Sequence, residues 1–318
     1  PDLASNYWRP RYLLPESDTS YSLRGMSVKG LRLIHDYKHN DHYRLSFVEL
    51  AKATFGIDFE AYYRAGFWND RYICYSLLDG DQVVSNVSVS TIDLIWKGQI
   101  KKAVQIGTVM THPDYRRKGL AGFLMNTVLR EYGPNSQLIY LFPNEEALSF
   151  YQQWGFARCR DSLFSCTMTP RATDHGSLRR LDITDAKDKG FLQELAAARL
   201  PVSEIMGFSG AEHVLLFHCL TSFRQHIYYL EPGIVVIFKA EGETLHVYDI
   251  ISRTPVEAQQ VLPLISTEKT REVVFYFTPS FPDLSVGVCQ ARPNQLMLLW
   301  PSPNFVTGNF AHPITAQA

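Results

Sequence analysis

The segment from Val109 to Gly122 constrains the fold of this chain more than any other. It begins as an apolar, strand-like run, passes through the basic turn Arg116-Arg117-Lys118 and enters a helical pattern at Leu120. A helix that starts in this way presents unpaired backbone N–H groups and the positive end of its dipole, which suit a phosphate or diphosphate. The segment therefore predicts an anion-binding loop.

Small residues support this prediction. Gly119 has no side chain, so phosphate oxygens could approach the backbone, and Ala121 and Gly122 keep the first helical turn thin. The segment is neither a Walker loop nor a G-x-G-x-x-G fingerprint, which argues against ATP and NAD. By itself the segment would also suit a basic helix cap on a solvated face. The residues on either side of it distinguish an anion-binding loop from such a cap.

The flanks carry two motifs in order. The first, Q/R-x-x-G-x-G/A, is filled by Arg116, Gly119 and Ala121. The second, N-x-x-A-x-x-F-Y-x-x-x-G-F, is filled by Asn144, Ala147, Phe150, Tyr151, Gly155 and Phe156. Together they resemble the GNAT superfamily of acetyl-CoA-dependent N-acetyltransferases over roughly residues 30–168.

This resemblance implies acetyl-CoA as the acyl donor and assigns roles to residues. The strand before the loop would pair with the pantetheine arm, with a bulge near Gly107, and the loop amides would hold the pyrophosphate. The implied cofactor-binding residues are Val109, Met110, Thr111, Arg116, Arg117, Lys118, Gly119, Leu120, Ala121, Gly122 and Asn144. Tyr151 would donate a proton to the leaving CoA thiolate. The structural alternative for Tyr151 is a core aromatic at helical spacing from Ala147.

The acceptor amine must lose a proton, and four residues near the expected cleft could take it: Glu60, Asp70, His112 and Glu145. Each also suits a solvated or capping position. The layout further resembles the enhanced-intracellular-survival type of acetyltransferase, in which a C-terminal carboxylate is the base, and this implies a catalytic role for Ala318. The aromatic residues Tyr62, Tyr63, Phe67, Trp68, Tyr72 and Tyr75 could line an acceptor pocket or pack in the core.

The order of elements predicts an α/β (α+β) fold. Hairpins between residues 71 and 111 are followed by strand–helix–strand–helix–strand, with one final strand from Phe156 to Met168. We expect a mixed, mostly antiparallel GNAT sheet flanked by helices, then a second, smaller GNAT-like α/β domain. The predicted divisions are a leader or N-terminal arm at 1–28, the catalytic domain at 29–169, a linker at 170–180 and a degenerate GNAT-like domain at 181–318. The strand-like run His246 to Ile251 leads into a helix without R-x-x-G-x-A, so we expect no second pyrophosphate site.

Composition narrows the function. A net charge of -1 gives no field that favours nucleic acid or an anionic membrane, and no apolar run is long enough to span a bilayer. The five cysteines form no C-x-x-C pair, which argues against a disulfide framework or a metal site and predicts a cytoplasmic protein. We therefore expect transfer of an acetyl group to a primary amine of a small molecule or protein. The alternative is a non-catalytic acyl-CoA-binding sensor or scaffold, and the oligomeric state stays open.

Overall fold

The computed structural model describes residues 30–169, 178–292, 296–299 and 308–318. Within these ranges the chain forms two β-sheets with helices packed against them. The helices are α1 (Asp41–Phe55), α2 (Phe59–Arg64), α3 (Leu120–Tyr132), α4 (Leu148–Gln152), α5 (Ala186–Ala198), α6 (Glu212–Leu220) and α7 (Ala258–Ile265). The predicted mixed fold with mostly antiparallel sheets flanked by helices is confirmed.

The first sheet has the strand order β1-β2-β3-β4-β5-β15-β6, with β9 paired to β3. Its strands are β1 (Arg32–His35), β2 (Tyr72–Asp79), β3 (Gln82–Trp96), β4 (Gln99–Thr111), β5 (Leu138–Leu141), β6 (Ala157–Arg158), β9 (Met206–Ser209) and β15 (Met297–Leu299). All neighbours are antiparallel except β4 and β5, which are parallel because α3 carries the chain back across the sheet.

The second sheet has the strand order β14-β7-β13-β12-β11-β10-β8. Its strands are β7 (Ser162–Thr167), β8 (Leu178–Arg180), β10 (Ile227–Leu230), β11 (Ile234–Glu241), β12 (Thr244–Ile251), β13 (Glu272–Phe275) and β14 (Gly287–Ala291). It repeats the pattern of the first: an antiparallel run, one parallel pair (β12 and β13) connected through α7, and then an antiparallel strand.

The two halves of the chain exchange strands. β7 follows directly after the first sheet in sequence but pairs with β13, while β15 comes from the second half and lies between β5 and β6. The single strand predicted from Phe156 to Met168 was therefore wrong. The chain changes sheets at Asp161, a fully buried carboxylate that accepts hydrogen bonds from Arg292 at 3.0 Å and from the His312 amide at 3.2 Å.

The predicted domain limits fall only partly on described residues. The leader or arm at 1–28 and most of the linker lie outside them, but the last three linker residues form β8, where Arg180 pairs with Tyr228. The prediction that these three residues belong to a connecting segment was therefore wrong. They form a strand because the edge of β10 can pair with them. The division of the chain into two domains stays a prediction.

One apolar core joins both halves. Phe59 and Tyr62 of α2 pack in the same cluster as Leu215 of α6 and Ile237 of β11. A second cluster lies between α3 and the first sheet, and includes Val104, Leu124 and Tyr151. Within the described ranges, no helix combines the length and apolar character that a membrane crossing requires.

Candidate active site

The central feature of the site is a gap between β4 and β5. These strands pair from Ala103 and Leu138 to Ile106 and Leu141; β5 then ends, while β4 continues to Thr111. Beyond Ile106, no strand among the described residues pairs with this edge of β4. Its backbone groups can therefore bind an extended ligand that takes the place of a strand.

A bulge in β4 widens the gap. Asn86 pairs with Met110 but Ser88 pairs with Gly107, so Thr108 and Val109 together oppose one residue of β3. Thr108 has a positive φ of 41°, which bends the strand at this point. The bulge expected near Gly107 thus lies one residue further along.

A cavity of about 260 Å³ begins at this gap. Its first part is lined by Ile106, Gly107, Thr108, Val109, Leu141, Phe142, Pro143, Asn144, Ala147 and Tyr151. Val109, Asn144 and Tyr151, to which the resemblance assigned roles, therefore line the same cavity. Met110 is buried in the core, and the Thr111 hydroxyl lies 2.9 Å from that of Ser85, so these two residues can offer a ligand only main-chain atoms.

The predicted anion loop forms the start of α3. Arg117 and Gly119 both have left-handed backbones, with φ of 60° and 77°, and no side chain caps the helix. A Cβ atom at Gly119 would find no heavy atom within 4 Å, so open space lies next to the uncapped amides of Leu120, Ala121 and Gly122. These amides and this space fit a phosphate or diphosphate group.

The three basic residues of the loop are exposed. Arg116 donates a hydrogen bond from Nε to the carbonyl oxygen of Thr111 at 3.2 Å, which fixes the turn between β4 and α3. The Lys118 ammonium lies 4.7 Å from the ring centre of Tyr115. The loop therefore combines positive charge with helix N–H groups at the end of β4 that leads away from the cavity.

Tyr151 is almost completely buried in the cavity wall. Burial raises the pKa of its phenol well above the ordinary value, so the hydroxyl keeps its proton at neutral pH. A protonated hydroxyl in a cavity can donate a proton to a leaving group.

None of the four predicted base candidates lines the cavity. Glu60 is held by two guanidinium groups, at 3.1 Å from Arg44 and 2.9 Å from Arg64, which lower the pKa of its carboxyl against the opposing effect of desolvation. Asp70 is exposed and pairs with Lys38. Of the other two, His112 caps one short 3-10 turn and Glu145 is the first residue of another, and neither lines the cavity.

Residues 308–318 bring Ala318 into the cavity wall. Three hydrogen bonds hold the end of this segment: the Thr315 hydroxyl donates to Asp249 at 2.5 Å, His218 Nε2 donates to the carbonyl oxygen of Gln317 at 2.6 Å, and the Gln105 amide donates to the main-chain oxygen of Ala318 at 3.2 Å. Ala318 therefore lies in the cavity wall, and its catalytic role stays a prediction.

The same segment fills the matching gap in the second sheet. Beyond the β12–β13 pairing, Ile314 donates its amide to the carbonyl oxygen of Tyr276 at 3.1 Å. Asp249 of β12, which receives the Thr315 hydroxyl, also receives two bonds from Arg199, at 2.7 and 2.6 Å. In the second sheet, the chain itself therefore occupies the position that the cavity occupies beside β4 in the first.

The remaining part of the cavity contains residues that the sequence did not mark. Of the predicted aromatic candidates, only Tyr62 and Tyr72 line it, whereas Phe67 and Trp68 pack in the core. The additional lining residues are Phe55, Ile57, Phe59, Ser90, His213, Val214 and Phe217. His213 and Phe217 lie on α6, and no local pattern in an apolar helix indicates which face meets a distant cleft.

Comparisons with known proteins agree with this geometry. Residues 38–159 match the family described as an acetyltransferase (GNAT) domain. Comparison with curated proteins gave no significant match. The matched segment contains the β4–β5 gap, the α3 loop and Tyr151, so this part of the chain is similar to GNAT acetyltransferase domains.

Three solved structures share the fold. A probable N-acyltransferase of unknown function from Enterococcus faecalis is 15% identical, with 85% of this chain and 72% of that chain covered and a TM-score of 0.54. Eis1 from Mycobacterium abscessus is 15% identical, with 85% and 73% covered and a TM-score of 0.53. A GCN5-related N-acetyltransferase from Kribbella flavida is 19% identical, with 84% and 70% covered and a TM-score of 0.51. At this identity the similarity describes the fold, and it extends over both sheets.

Proposed function

We propose that this protein transfers an acetyl group from acetyl-CoA to the primary amine of an acceptor. One observation carries the proposal: Tyr151 and the unpaired edge of β4 line the same cavity, and β4 leads from that cavity to the uncapped amides of α3. A pantetheine arm bound along Val109 would place its thioester near Tyr151 while its pyrophosphate lies at Gly119.

The transfer replaces the C–S bond of the thioester with a C–N bond to the acceptor. The acceptor nitrogen attacks the thioester carbon, so a C–N bond forms and the C–S bond breaks. The Tyr151 hydroxyl gives its proton to the departing sulfur, and the proton that the new amide nitrogen loses returns to Tyr151 through solvent. Asn144, at the start of the turn before α4, lines the same wall and would orient the donor.

An alkylamine arrives protonated, because its pKa is about 10.4, and must lose its proton before attack. We assign this step to the α-carboxylate of Ala318, for a polypeptide that ends at this residue. A Cβ atom at Gly107 would lie 3.7 Å from the Cβ of Ala318, so the segment rests on β4 where the gap begins. No acidic side chain among the described lining residues competes for the role.

Binding and turnover should be measured separately to test the proposal. Acetyl-CoA should raise the melting temperature, and a panel of primary amines should release free thiol in proportion to acetylated product. Binding without amine-dependent thiol release would instead establish an acyl-CoA-binding sensor or scaffold. Absence of both would remove CoA from the function altogether.

A further inference from the structure

The part of the cavity beyond the β4–β5 gap is enclosed by α1, α2, α6 and the first sheet. We call it the acceptor chamber; it is lined by Phe55, Ile57, Phe59, Tyr62, Tyr72, Ser90, His213, Val214 and Phe217. None of these lining residues carries an acidic or basic side chain other than the imidazole of His213. The chamber is therefore an apolar, largely aromatic space.

The two tyrosine hydroxyls of the chamber already have partners in the protein. Tyr62 donates to the carbonyl oxygen of His213 at 3.2 Å, and the Tyr72 hydroxyl lies 2.7 Å from that of Thr108 and accepts from Ser88 at 2.9 Å. These residues consequently present their rings to a ligand rather than their polar ends.

Two other lining residues have polar atoms without a protein partner. The Ser90 hydroxyl and both ring nitrogens of His213 are buried, and none of these atoms has a hydrogen-bond partner among the described residues. Both side chains are about 99% buried, each with 1% of its surface exposed. A buried polar group without a partner destabilises the folded protein, and a ligand that supplies the missing hydrogen bonds would remove this cost.

The imidazole of His213 is uncharged. Burial first, and then the charge of Arg71, lower its pKa to about 3. A neutral imidazole offers one N–H donor and one nitrogen acceptor, and the Ser90 hydroxyl likewise can donate and accept. Such a set matches a hydroxyl, carbonyl or amide, and it offers no counter-charge to an ammonium group.

Charge also limits the body of the acceptor. A polyamine or aminoglycoside would bring further ammonium groups into a chamber without an acidic side chain among its described lining residues, and an unpaired buried charge costs several kcal/mol. An amine with a single charge loses that charge when it reacts. A monoamine therefore brings no second cation into the chamber.

Building on the proposed function, we infer that the acceptor is a primary monoamine with an aromatic or apolar body and an uncharged hydrogen-bonding group, which Ser90 and His213 bind. Neither residue is needed for the transfer step, so both are specificity determinants.

The first experiment compares acceptors on the intact protein with acetyl-CoA as donor: phenethylamine, its 4-hydroxy analogue, spermidine and the aminoglycoside kanamycin. We expect kcat/KM for the hydroxylated monoamine to exceed that for either polycation by about 100-fold or more, and that for phenethylamine by about tenfold, one lost hydrogen bond. Equal or faster turnover of spermidine or kanamycin would overturn the inference.

The second experiment tests the two residues. In Ser90→Ala and His213→Phe, the preference for the hydroxylated amine over phenethylamine, as a ratio of kcat/KM values within each variant, should shrink to about threefold or less. Ser222→Ala and His226→Phe, outside the chamber, are the matched controls. Each variant must retain its acetyl-CoA thermal shift, which shows that it folds. An unchanged preference in both chamber variants would refute their role.

A third experiment adds the missing charge. Phe55 and Leu45 lie on α1 with 39% and 43% of their surfaces exposed, but only Phe55 lines the chamber. Phe55→Glu should raise kcat/KM for spermidine relative to phenethylamine about tenfold, and Leu45→Glu should not. The same gain in both variants would indicate general charge steering and contradict a chamber limited by its missing carboxylate.

Failure of the proposed function has a different signature. If acetyl-CoA binds but no amine releases thiol, catalysis is refuted. In that case the hydroxylated monoamine is added to the wild-type protein with acetyl-CoA bound. A further rise in its melting temperature that Ser90→Ala lacks would still support the chamber's selectivity, and no further rise in the wild type would refute that selectivity. A preference for hexanoyl-CoA over acetyl-CoA, with no selectivity among amines, would show that the chamber holds an acyl chain.

Discussion

Gln105 of β4 donates a hydrogen bond from its side-chain amide to the main-chain oxygen of Ala318, over 3.2 Å. Its other side-chain atom, the amide oxygen, accepts from the Tyr140 hydroxyl of β5 at 3.1 Å, so the amide cannot turn away without losing both bonds. The position of residue 318 is therefore set by the two strands whose separation opens the cofactor cleft.

The anion loop makes the first prediction. Acetyl-CoA at about 100 times its dissociation constant stabilises the folded protein by roughly 2.7 kcal/mol, which appears as a higher melting temperature. Gly119→Val should abolish this rise, because the side chain would enter the open space beside the uncapped amides. Differential scanning fluorimetry with and without acetyl-CoA measures it.

The substitution also strains the backbone, since Gly119 has φ of 77°. Gly98→Val is the matched control: Gly98 has φ of 75°, equally open surroundings and a position in the β3–β4 turn outside the cavity. Both variants should lose similar stability without ligand, and only Gly98→Val should keep the acetyl-CoA shift. A full shift in Gly119→Val would show that the loop does not bind the donor.

Tyr151 makes the second prediction. Tyr151→Phe should retain the acetyl-CoA shift and lose about 100-fold in kcat, because the thiolate then leaves without a proton donor. The rate of free-thiol release at saturating substrate measures the loss in kcat. Tyr248→Phe in the second sheet is the control and should keep the wild-type rate. A decrease below about threefold, or roughly 0.6 kcal/mol in the barrier, would mean that Tyr151 only packs.

Local signals in the sequence predicted the donor half of the site. The basic turn and Gly119 indicated where α3 begins, and the N-x-x-A-x-x-F-Y pattern placed Asn144 and Tyr151 on one wall, because each signal depends on residues close in sequence. The hairpins of β2, β3 and β4 were predictable for the same reason.

Long-range pairing was beyond such signals. β7 and β15 are short strands with no local feature that indicates their sheet, and Asp161, where the chain changes sheets, bonds to Arg292, which lies 131 positions away. Likewise, His213 faces the cavity only because α6 of the second half packs against α2 of the first. Periodicity records which face of an element is buried but not which element covers it.

Two buried histidines make the third prediction, on stability against pH. Burial, together with the nearby charges of Arg71 and Arg292, lowers the pKa of His213 and His312 to about 3. In the unfolded chain each has a pKa of about 6.5, so below that pH the unfolded state takes up protons that the native state excludes. The free energy of unfolding should therefore fall as pH decreases from 6.5, by about 1.4 kcal/mol per pH unit for each histidine, and be unaffected by them above pH 7.5.

Urea denaturation at pH 7.5, 6.0 and 5.0 tests this linkage. His312→Gln should be less stable than the wild type at pH 7.5, because His312 packs against Phe142 and Phe208, yet lose less stability on acidification. His42→Gln, whose side chain is 65% exposed, should leave the slope unchanged. Identical slopes in the wild type and His312→Gln would contradict a neutral buried ring.

The end of the chain makes the last prediction. Intact mass first establishes that Ala318 is C-terminal; three glycines are then appended, and in a separate semisynthetic protein the carboxylate is replaced by a carboxamide. Either change removes the charge from its position beside Gly107 while the hydrogen bonds of Thr315 and Gln317 remain. Both proteins should keep their stability and acetyl-CoA shift and lose most amine-dependent turnover at pH 7. The reason is that no base then takes the proton from the ammonium form of the amine substrate. Turnover should recover in part towards pH 9.5, where more of the amine is already deprotonated.

Deletion of Thr315 to Ala318 should differ: it also removes the bonds to Asp249 and His218, so we expect a loss of about 1–3 kcal/mol in stability as well as activity. Full activity at pH 7 in both the glycine-extended and the carboxamide protein would show that the terminal carboxylate takes no part in the transfer.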